Sequence, residues 1–237
     1  MNIALIGYGK MGKEIEQIAL SRGHCIVLKV DEHNAATYTV DDLKKADAAI
    51  EFSTPESAVT NIYKCFEAGL PVVAGTTGWL SKFDAVKQKC TENNQTLFYA
   101  SNYSIGVNLF FKLNEYLAKL MNTYPEYNSA IEEIHHIHKL DSPSGTAITL
   151  ANQMIEQLDS KTKWVNNAAT DEQELNIVSK RIDEVPGTHT VTYSSLVDEI
   201  SITHTAHSRK GFALGAVIAA EWIKGKKGVF GMNDLLK

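Results

Sequence analysis

Apolar residues follow two different rhythms along this chain. Up to about residue 100, short and nearly continuous apolar runs alternate with stretches where apolar residues return every three or four positions. The runs NIALI (2–6), CIVLKVD (25–31), AAIEF (48–52), PVVAG (71–75) and TLFYA (96–100) predict strands. Between them, 10–23 reads as an amphipathic helix closing at Gly23, 55–69 as a helix with Pro55 at its start and Gly69 at its end, and 81–94 as a third helix. Strands that are apolar throughout are buried on both faces, so this grammar predicts a parallel sheet between helical layers.

After about residue 105 the rhythm changes. Residues 106–122 predict one long helix, 128–139 a strand and 146–158 a helix. The segments 175–183, 188–195 and 198–206 alternate apolar and polar positions and predict consecutive antiparallel strands, and 210–226 a final helix. Residues 160–173 are polar and read as a mobile loop. The expected fold class is α/β, with a Rossmann-like parallel-sheet dinucleotide-binding domain and a smaller α+β domain with a mainly antiparallel sheet. The expected boundaries are 1–105 with 210–237 for the first domain and 106–209 for the second, the last helix packing back on the first.

Composition excludes more than it selects. The 237 residues are 44% hydrophobic and 22% charged, with a formal net charge of −5. No basic stretch exceeds a few residues, so nucleic acid is not an expected partner. No window approaches the ~20 apolar residues of a membrane helix, and the N-terminal apolar run is too short for a signal peptide. Cys25, Cys65 and Cys90 are odd in number and widely spaced, which argues against a disulfide framework or zinc knuckle and for a reducing cytoplasm.

The first strand runs directly into IGYGKMG, placing Gly7, Gly9 and Gly12 in a G-x-G-x-x-G pattern that opens a helix. Glycine permits the tight turn and the close approach of a pyrophosphate, and the helix start offers N–H groups to it. The next strand ends at Asp31, where an acid can bind ribose hydroxyls and disfavour the extra phosphate of NADP. Lys10 and Lys29 lie near enough in sequence to keep NADPH open beside NADH. Two further loops follow strand ends, FSTPES with Phe52 and Ser53, and AGTTGW with Gly75, Thr76 and Thr77. Both suit contacts to ribose and nicotinamide, although Ser53 alone serves equally well as ordinary turn chemistry.

Residues 132–147 read EEIHHIHKLDSPSGTA. If 131–139 is a strand, Glu133, His135, Ile137 and Lys139 share one face, and Ile134, His136 and His138 the other. A zinc site needs three converging ligands, and this alternation divides the histidines. A plain structural strand is a poor use of adjacent His, His and Lys. Acid–base chemistry accounts for more: His135 can deliver a proton near neutrality, and Lys139 on its face would lower its pKa or hold an anion. Ser144, Gly145 and Thr146 then lead into a helix start suited to a carboxylate. Arg209 offers a second, bidentate grip on such a group.

These residues resemble the dihydrodipicolinate reductase family along nearly the whole chain. The resemblance is carried by the glycine loop, AGTTGW, ASNYSIGVNLF (100–110), EEIHHIHKLDSPSGTA, VPGTHTV (185–191) and SRKGFALGAVIAAEWI (208–223). It implies His135 as proton donor, Lys139 as a second donor, and His136, Ser144, Gly145 and Thr146 as substrate ligands. It implies contacts to NADH or NADPH from Gly7, Tyr8, Gly9, Lys10, Met11, Asp31, Gly75, Thr76, Thr77, Ala100, Ser101, Asn102 and Tyr103. It further implies a small dicarboxylate substrate and a homotetramer assembled through the second domain's sheet. GYGKMG is one residue shorter than the family's common G-A-x-G-R-M-G and has Lys10 for arginine, departures that bear on cofactor preference. Rival readings are an aspartate- or diaminopimelate-dehydrogenase-like enzyme, a nucleotide-sensing module without turnover, and a metal hydrolase.

Overall fold

The computed structural model describes residues 1–166, 168–208 and 210–237. The chain forms two compact units, Met1–Ile105 with Lys210–Lys237, and Gly106–Arg209.

The first unit holds β1 (Asn2–Ile6), α1 (Lys10–Ser21), β2 (Cys25–Val30), α2 (Val40–Leu43), β3 (Ala48–Glu51), α3 (Pro55–Glu67), β4 (Val72–Ala74), α4 (Phe83–Glu92) and β5 (Thr96–Tyr99). After the second unit it resumes with α7 (Lys210–Trp222), β11 (Gly228–Phe230) and α8 (Met232–Leu235). Its six strands are parallel, in the order β2-β1-β3-β4-β5-β11. Successive strand residues enter opposite cores, as the period of two requires. Ile3, Leu5, Ile50 and Val73 pack with α1 and α7, while Ala4, Ile6, Ala49 and Val72 pack with α3 and α4. Small residues let α7 lie close: a Cβ on Gly215 would fall 1.7 Å from the Tyr103 carbonyl oxygen. The chain leaves β1 toward β2 on one side and β3 on the other, and such a reversal opens a crevice beyond the strand ends where ligands bind.

The second unit holds most of α5 (Ile105–Met121), then β6 (Asn128–His135), α6 (Gly145–Gln157), β7 (Lys163–Asn166), β8 (Glu174–Arg181), β9 (Thr188–Ser194) and β10 (Glu199–Thr205). The sheet order is β10-β9-β6-β8-β7. β9 is antiparallel to β6 and β10, whereas β8 is parallel to β6 and β7, so the sheet is mixed. The three C-terminal strands are therefore not a simple meander, because β6 lies between β8 and β9. The stretch 160–173, read as a mobile loop, contributes β7 at the sheet edge. One face packs Ile131, Ile177, Val191 and Tyr193 against Phe110, Leu150 and Met154 of α5 and α6. The other carries Thr190 paired to Thr203 at 3.1 Å and Thr192 paired to Ser201 at 3.2 Å, all four partly or fully exposed.

Candidate active site

In the first unit, Gly7 turns the chain out of β1 at φ +95°, with its N–H donating to the Val30 carbonyl at 2.9 Å. A Cβ there would sit 2.0 Å from the Phe52 carbonyl oxygen, and one on Gly12 would sit 2.6 Å from that of Gly7. Both positions therefore demand glycine: the first brings the β1 and β3 ends together, and the second seats α1 against the turn. Gly9 caps α1 without a side-chain acceptor, and the first turn carries no acid. Its N–H groups thus face an anion without competition from a local carboxylate. A cavity of about 770 Å³ opens beside this turn, lined by Gly7, Tyr8, Gly9, Asp31, Phe52 and Ser53 among others. Its size and donor set fit a nicotinamide dinucleotide.

Lys10, Met11, Gly12, Gly75, Thr76, Thr77, Ala100, Ser101, Asn102 and Tyr103 do not line that cavity. Several shape its floor instead. Thr76 Oγ1 accepts from the Ser53 N–H at 2.8 Å. A Cβ on Gly75 would enter the Phe52 ring at 2.1 Å. The Tyr103 ring is buried, its hydroxyl donating to the Ala74 carbonyl at 2.8 Å. Beneath Ser53 lies Glu51, which the sequence reading passed over. It is fully buried, accepts from the Ser53 hydroxyl and N–H, and has Asn61 Nδ2 at 3.5 Å. Burial pushes its carboxyl up from the ordinary value, against the opposing hydrogen bonds of Ser53, Thr76 and Asn61.

In the second unit, the helix-covered face of the sheet changes from apolar to polar toward the end of β6. Ile131 is followed on that face by Glu133 and His135. Register sets Ser179 and His189 on either side of Glu133, and Arg181 beside His135. Glu133 is fully buried, and both its oxygens accept from the Ser144 N–H at 3.1 Å. The Arg181 guanidinium lies 3.3 Å from the same carboxylate and also donates to the Asp141 carbonyl at 2.6 Å. Ser144 caps α6 by accepting from the Ala147 N–H, and its hydroxyl meets His189 Nε2 at 3.0 Å. Burial alone would push the Glu133 carboxyl up. Hydrogen bonding from His189, Ser144 and Ser179 outweighs it and holds the group well below the carboxylate range.

His135 Nδ1 lies 3.4 Å from Glu133, without the angle of a hydrogen bond, and its ring crosses that of His189 with centroids 5.0 Å apart. A Cβ on Gly187 would stand 3.1 Å from His135 Nε2, so glycine leaves space beside that nitrogen. The His135 pKa falls to about 4: burial lowers it most, Glu133 opposes, and His189, Lys139 and Arg181 lower it further.

One expectation for this segment needs correction. β6 ends at His135 rather than continuing to 139, because β8 stops at Arg181 and β9 begins at Thr188, leaving the chain no further ladder partner. The Ile137 N–H instead donates to the Asp183 carbonyl, and Lys139 closes a turn onto His136. Lys139 is consequently not a strand neighbour of His135; its ammonium is held by both oxygens of Asp141 at 2.7 Å. A histidine from another strand, His189 of β9, joins the cluster. Glu133, His135 and His189 bring ligand-type atoms within 4.8 Å of one another, although Arg181 already shares the carboxylate. The cluster also holds Arg181; Arg209, named above for a carboxylate grip, lies outside the described residues. His136 is partly buried beside His138, and Gly145 and Thr146 form the partly open first turn of α6. Glu133 was placed on the face of His135 without a role, and Arg181 and His189 were given none, although VPGTHTV carries His189.

A Rossmann-type nucleotide unit joined to an α+β unit with a buried acid–base cluster defines a two-unit, nicotinamide-dependent oxidoreductase. Residues 1–103 match the family described as dihydrodipicolinate reductase, N-terminus, and 106–236 its C-terminus. The chain belongs to the dihydrodipicolinate reductase family. It is 52% identical over 236 residues to a 4-hydroxy-tetrahydrodipicolinate reductase of Christiangramia forsetii, covering 100% of this chain and 98% of that one. It is 34% identical to another of Archaeoglobus fulgidus, with 100% of both covered. A dipicolinate-bound dihydrodipicolinate reductase from Paenisporosarcina sp. TG-14 shares the fold at a TM-score of 0.79, 22% identity and 98% coverage of both chains.

Proposed function

We propose that this chain reduces 4-hydroxy-tetrahydrodipicolinate, by way of dihydrodipicolinate, to tetrahydrodipicolinate, as a step of lysine and diaminopimelate biosynthesis. The observation that carries the reading is His135, buried between Glu133, His189 and Arg181 at the mouth of a helix-capped anion cradle, in a chain of this family. Residues 1–105 with 210–237 bind the dinucleotide, and 106–209 bind substrate and mediate oligomerisation. When bound, NADH or NADPH supplies a hydride to ring carbon 4.

The acid–base steps belong to the second unit. The N–H groups of Gly145 and Thr146 receive one substrate carboxylate, supported by the positive end of α6. Lys139, released from Asp141, receives charge from the other and is a second proton donor; His136 adds a substrate contact. Glu133 remains ionised throughout, so its negative charge favours a protonated His135. His135 is neutral in the free protein near pH 7. A dianionic substrate arriving beside it raises its proton affinity, so substrate binding itself loads the acid that protonates ring carbon 3. In the first unit, Gly7, Tyr8, Gly9, Lys10, Met11 and Gly12 hold the pyrophosphate, and Asp31 the adenosine ribose. Phe52 and Ser53 line the nicotinamide side, backed by Gly75, Thr76, Thr77 and residues 100–103, and Arg209, outside the described residues, is a further candidate for a carboxylate contact.

The exposed threonine face of the second sheet is the surface through which a homotetramer forms. Among the described residues no helix is long and apolar enough to cross a membrane, and a biosynthetic enzyme with free thiols at Cys65 and Cys90 belongs in the cytoplasm. The test supplies pyruvate, aspartate semialdehyde and the upstream synthase, and follows NADH and NADPH oxidation separately. Substrate-dependent oxidation is expected. Its absence, or ammonia-dependent oxidation of an amino dicarboxylate instead, would overturn the assignment.

A further inference from the structure

The first unit holds an ionic cluster beside the nucleotide cavity that no step above uses. Glu16, on the second turn of α1, accepts from the Tyr8 hydroxyl and pairs with Lys29 of β2 at 2.6 Å. Lys29 Nζ also stands 4.8 Å from the centre of the Tyr8 ring and 3.5 Å from its hydroxyl. Tyr8 lines the cavity, and so does Asp31, two residues beyond Lys29 on the same strand end. Lys29 does not itself line the cavity; it is a cation standing behind Tyr8, two residues before the β2 acid that would meet the ribose. Glu16 neutralises it there and fixes its ammonium against α1.

We infer that Glu16 is a specificity-determining residue that disfavours NADPH by sequestering Lys29, the cation otherwise placed to receive a 2′-phosphate. The inference rests on the dinucleotide reading of the cavity. Two acids, Asp31 and Glu32, line the cavity just beyond β2. The lysines that line the cavity are differently engaged. Lys13 lies on the first turn of α1, on the pyrophosphate side, and Lys64 sits 3.9 Å over the Tyr38 ring while donating to the Tyr38 carbonyl. With Glu16 in place, the pair adds no net charge toward the phosphate. With Glu16 made neutral, one full positive charge becomes available, on a flexible stem that can swing past Tyr8.

The test compares wild type, Glu16→Gln, Lys29→Met and the double variant. Each is titrated with NADH and NADPH by nucleotide fluorescence and, in the coupled assay, by KM and kcat. Glu16→Gln keeps a hydrogen-bond acceptor for Tyr8. It should tighten NADPH binding by about tenfold, the order expected of one new charge-assisted contact, with NADH binding changed less than about twofold. The gain should weaken as salt rises and disappear in the double variant. Equal effects on both nucleotides, or a gain that survives Lys29→Met, would overturn the inference. Binding without turnover would fail the proposed reaction, yet the ratio of dissociation constants still decides the role of Glu16. Absence of nucleotide binding would overturn both.

Discussion

Each unit buries one glutamate completely, and the two are pushed in opposite directions. Glu51 ends β3 among neutral donors, the Ser53 hydroxyl and N–H and the Asn61 amide, and one of its oxygens has no hydrogen-bond partner among the described residues. Glu133 lies mid-sheet with the Ser144 N–H on both oxygens and the Arg181 guanidinium at 3.3 Å. Burial raises the carboxyl of the first; the partners of the second reverse the same penalty. Equal burial of the same side chain therefore says little about its charge. The donors decide it, and only the second glutamate sits where an ionised group helps to hold a proton on a neighbouring histidine.

The largest effect should come from removing the Glu133 charge. Glu133→Gln leaves Arg181 without its carboxylate and should cost about 3 kcal/mol of stability, the lower end for breaking one partner of a buried pair. His135 would lose the anion favouring its protonated form, so turnover should also fall. Adding Arg181→Met should recover stability in denaturant titrations without recovering turnover. Recovery of both would mean that Glu133 serves packing alone.

His135 comes next. His135→Gln should reduce kcat by ~10²–10⁴, the usual contribution of a positioned acid, with NADH affinity kept. Because the free histidine has a pKa of about 4, binding of a dicarboxylate analogue at pH 7 should draw about one proton from solution. Calorimetry in buffers of different ionisation enthalpy reads that uptake directly. His135→Gln should abolish it, and an unchanged uptake would move the acid elsewhere. Lys139→Ala should be milder, raising KM about tenfold as one charge-assisted contact is lost. A fall in thermal stability alone would leave Lys139 as no more than the partner of Asp141.

What was legible in the sequence follows the range of the interactions. The tight turn of the glycine loop, the place of Asp31 at the end of β2 and the helix start at Ser144 are local features, set by neighbours a few residues away, and the spacing made them legible. The expected strand to 139 failed because a strand ends where its partners end, at Arg181 and Thr188, and no residue within 131–139 records that. Glu133, His189 and Arg181 come from three strands and meet only through the register of β6 with β8 and β9. Period-two alternation placed Glu133 and His135 on one face. It could not show that β9 would set a third titratable side chain opposite, nor that β8 would supply Arg181. Glu51 was hidden differently: in AAIEF it reads as the polar end of a strand, and only tertiary packing makes it buried.

The smallest effect, and the one that tests the comparison most directly, is Glu51→Gln. A folded-state pKa above the unfolded value means that folding favours the protonated carboxyl. That contribution is fully present below the unfolded value and is lost as pH rises through the folded one. Glutamine cannot ionise and keeps an oxygen for the Ser53 N–H, so Glu51→Gln should gain stability relative to wild type as pH rises from 4 to 8. Glu133 has the opposite sign: its contribution is present above the unfolded value and lost as pH falls, so Glu133→Gln should lose ground over the same interval. The two difference curves, from denaturant titrations at several pH values, should have slopes of opposite sign, with the Glu51 change the smaller of the two. Parallel slopes would show that Glu51 is held ionised by a donor not among its neutral partners. The contrast between the two buried glutamates would then collapse, and the contact between the Ser53 and Thr76 loops would rest on a charge rather than on a neutral hydrogen-bond network.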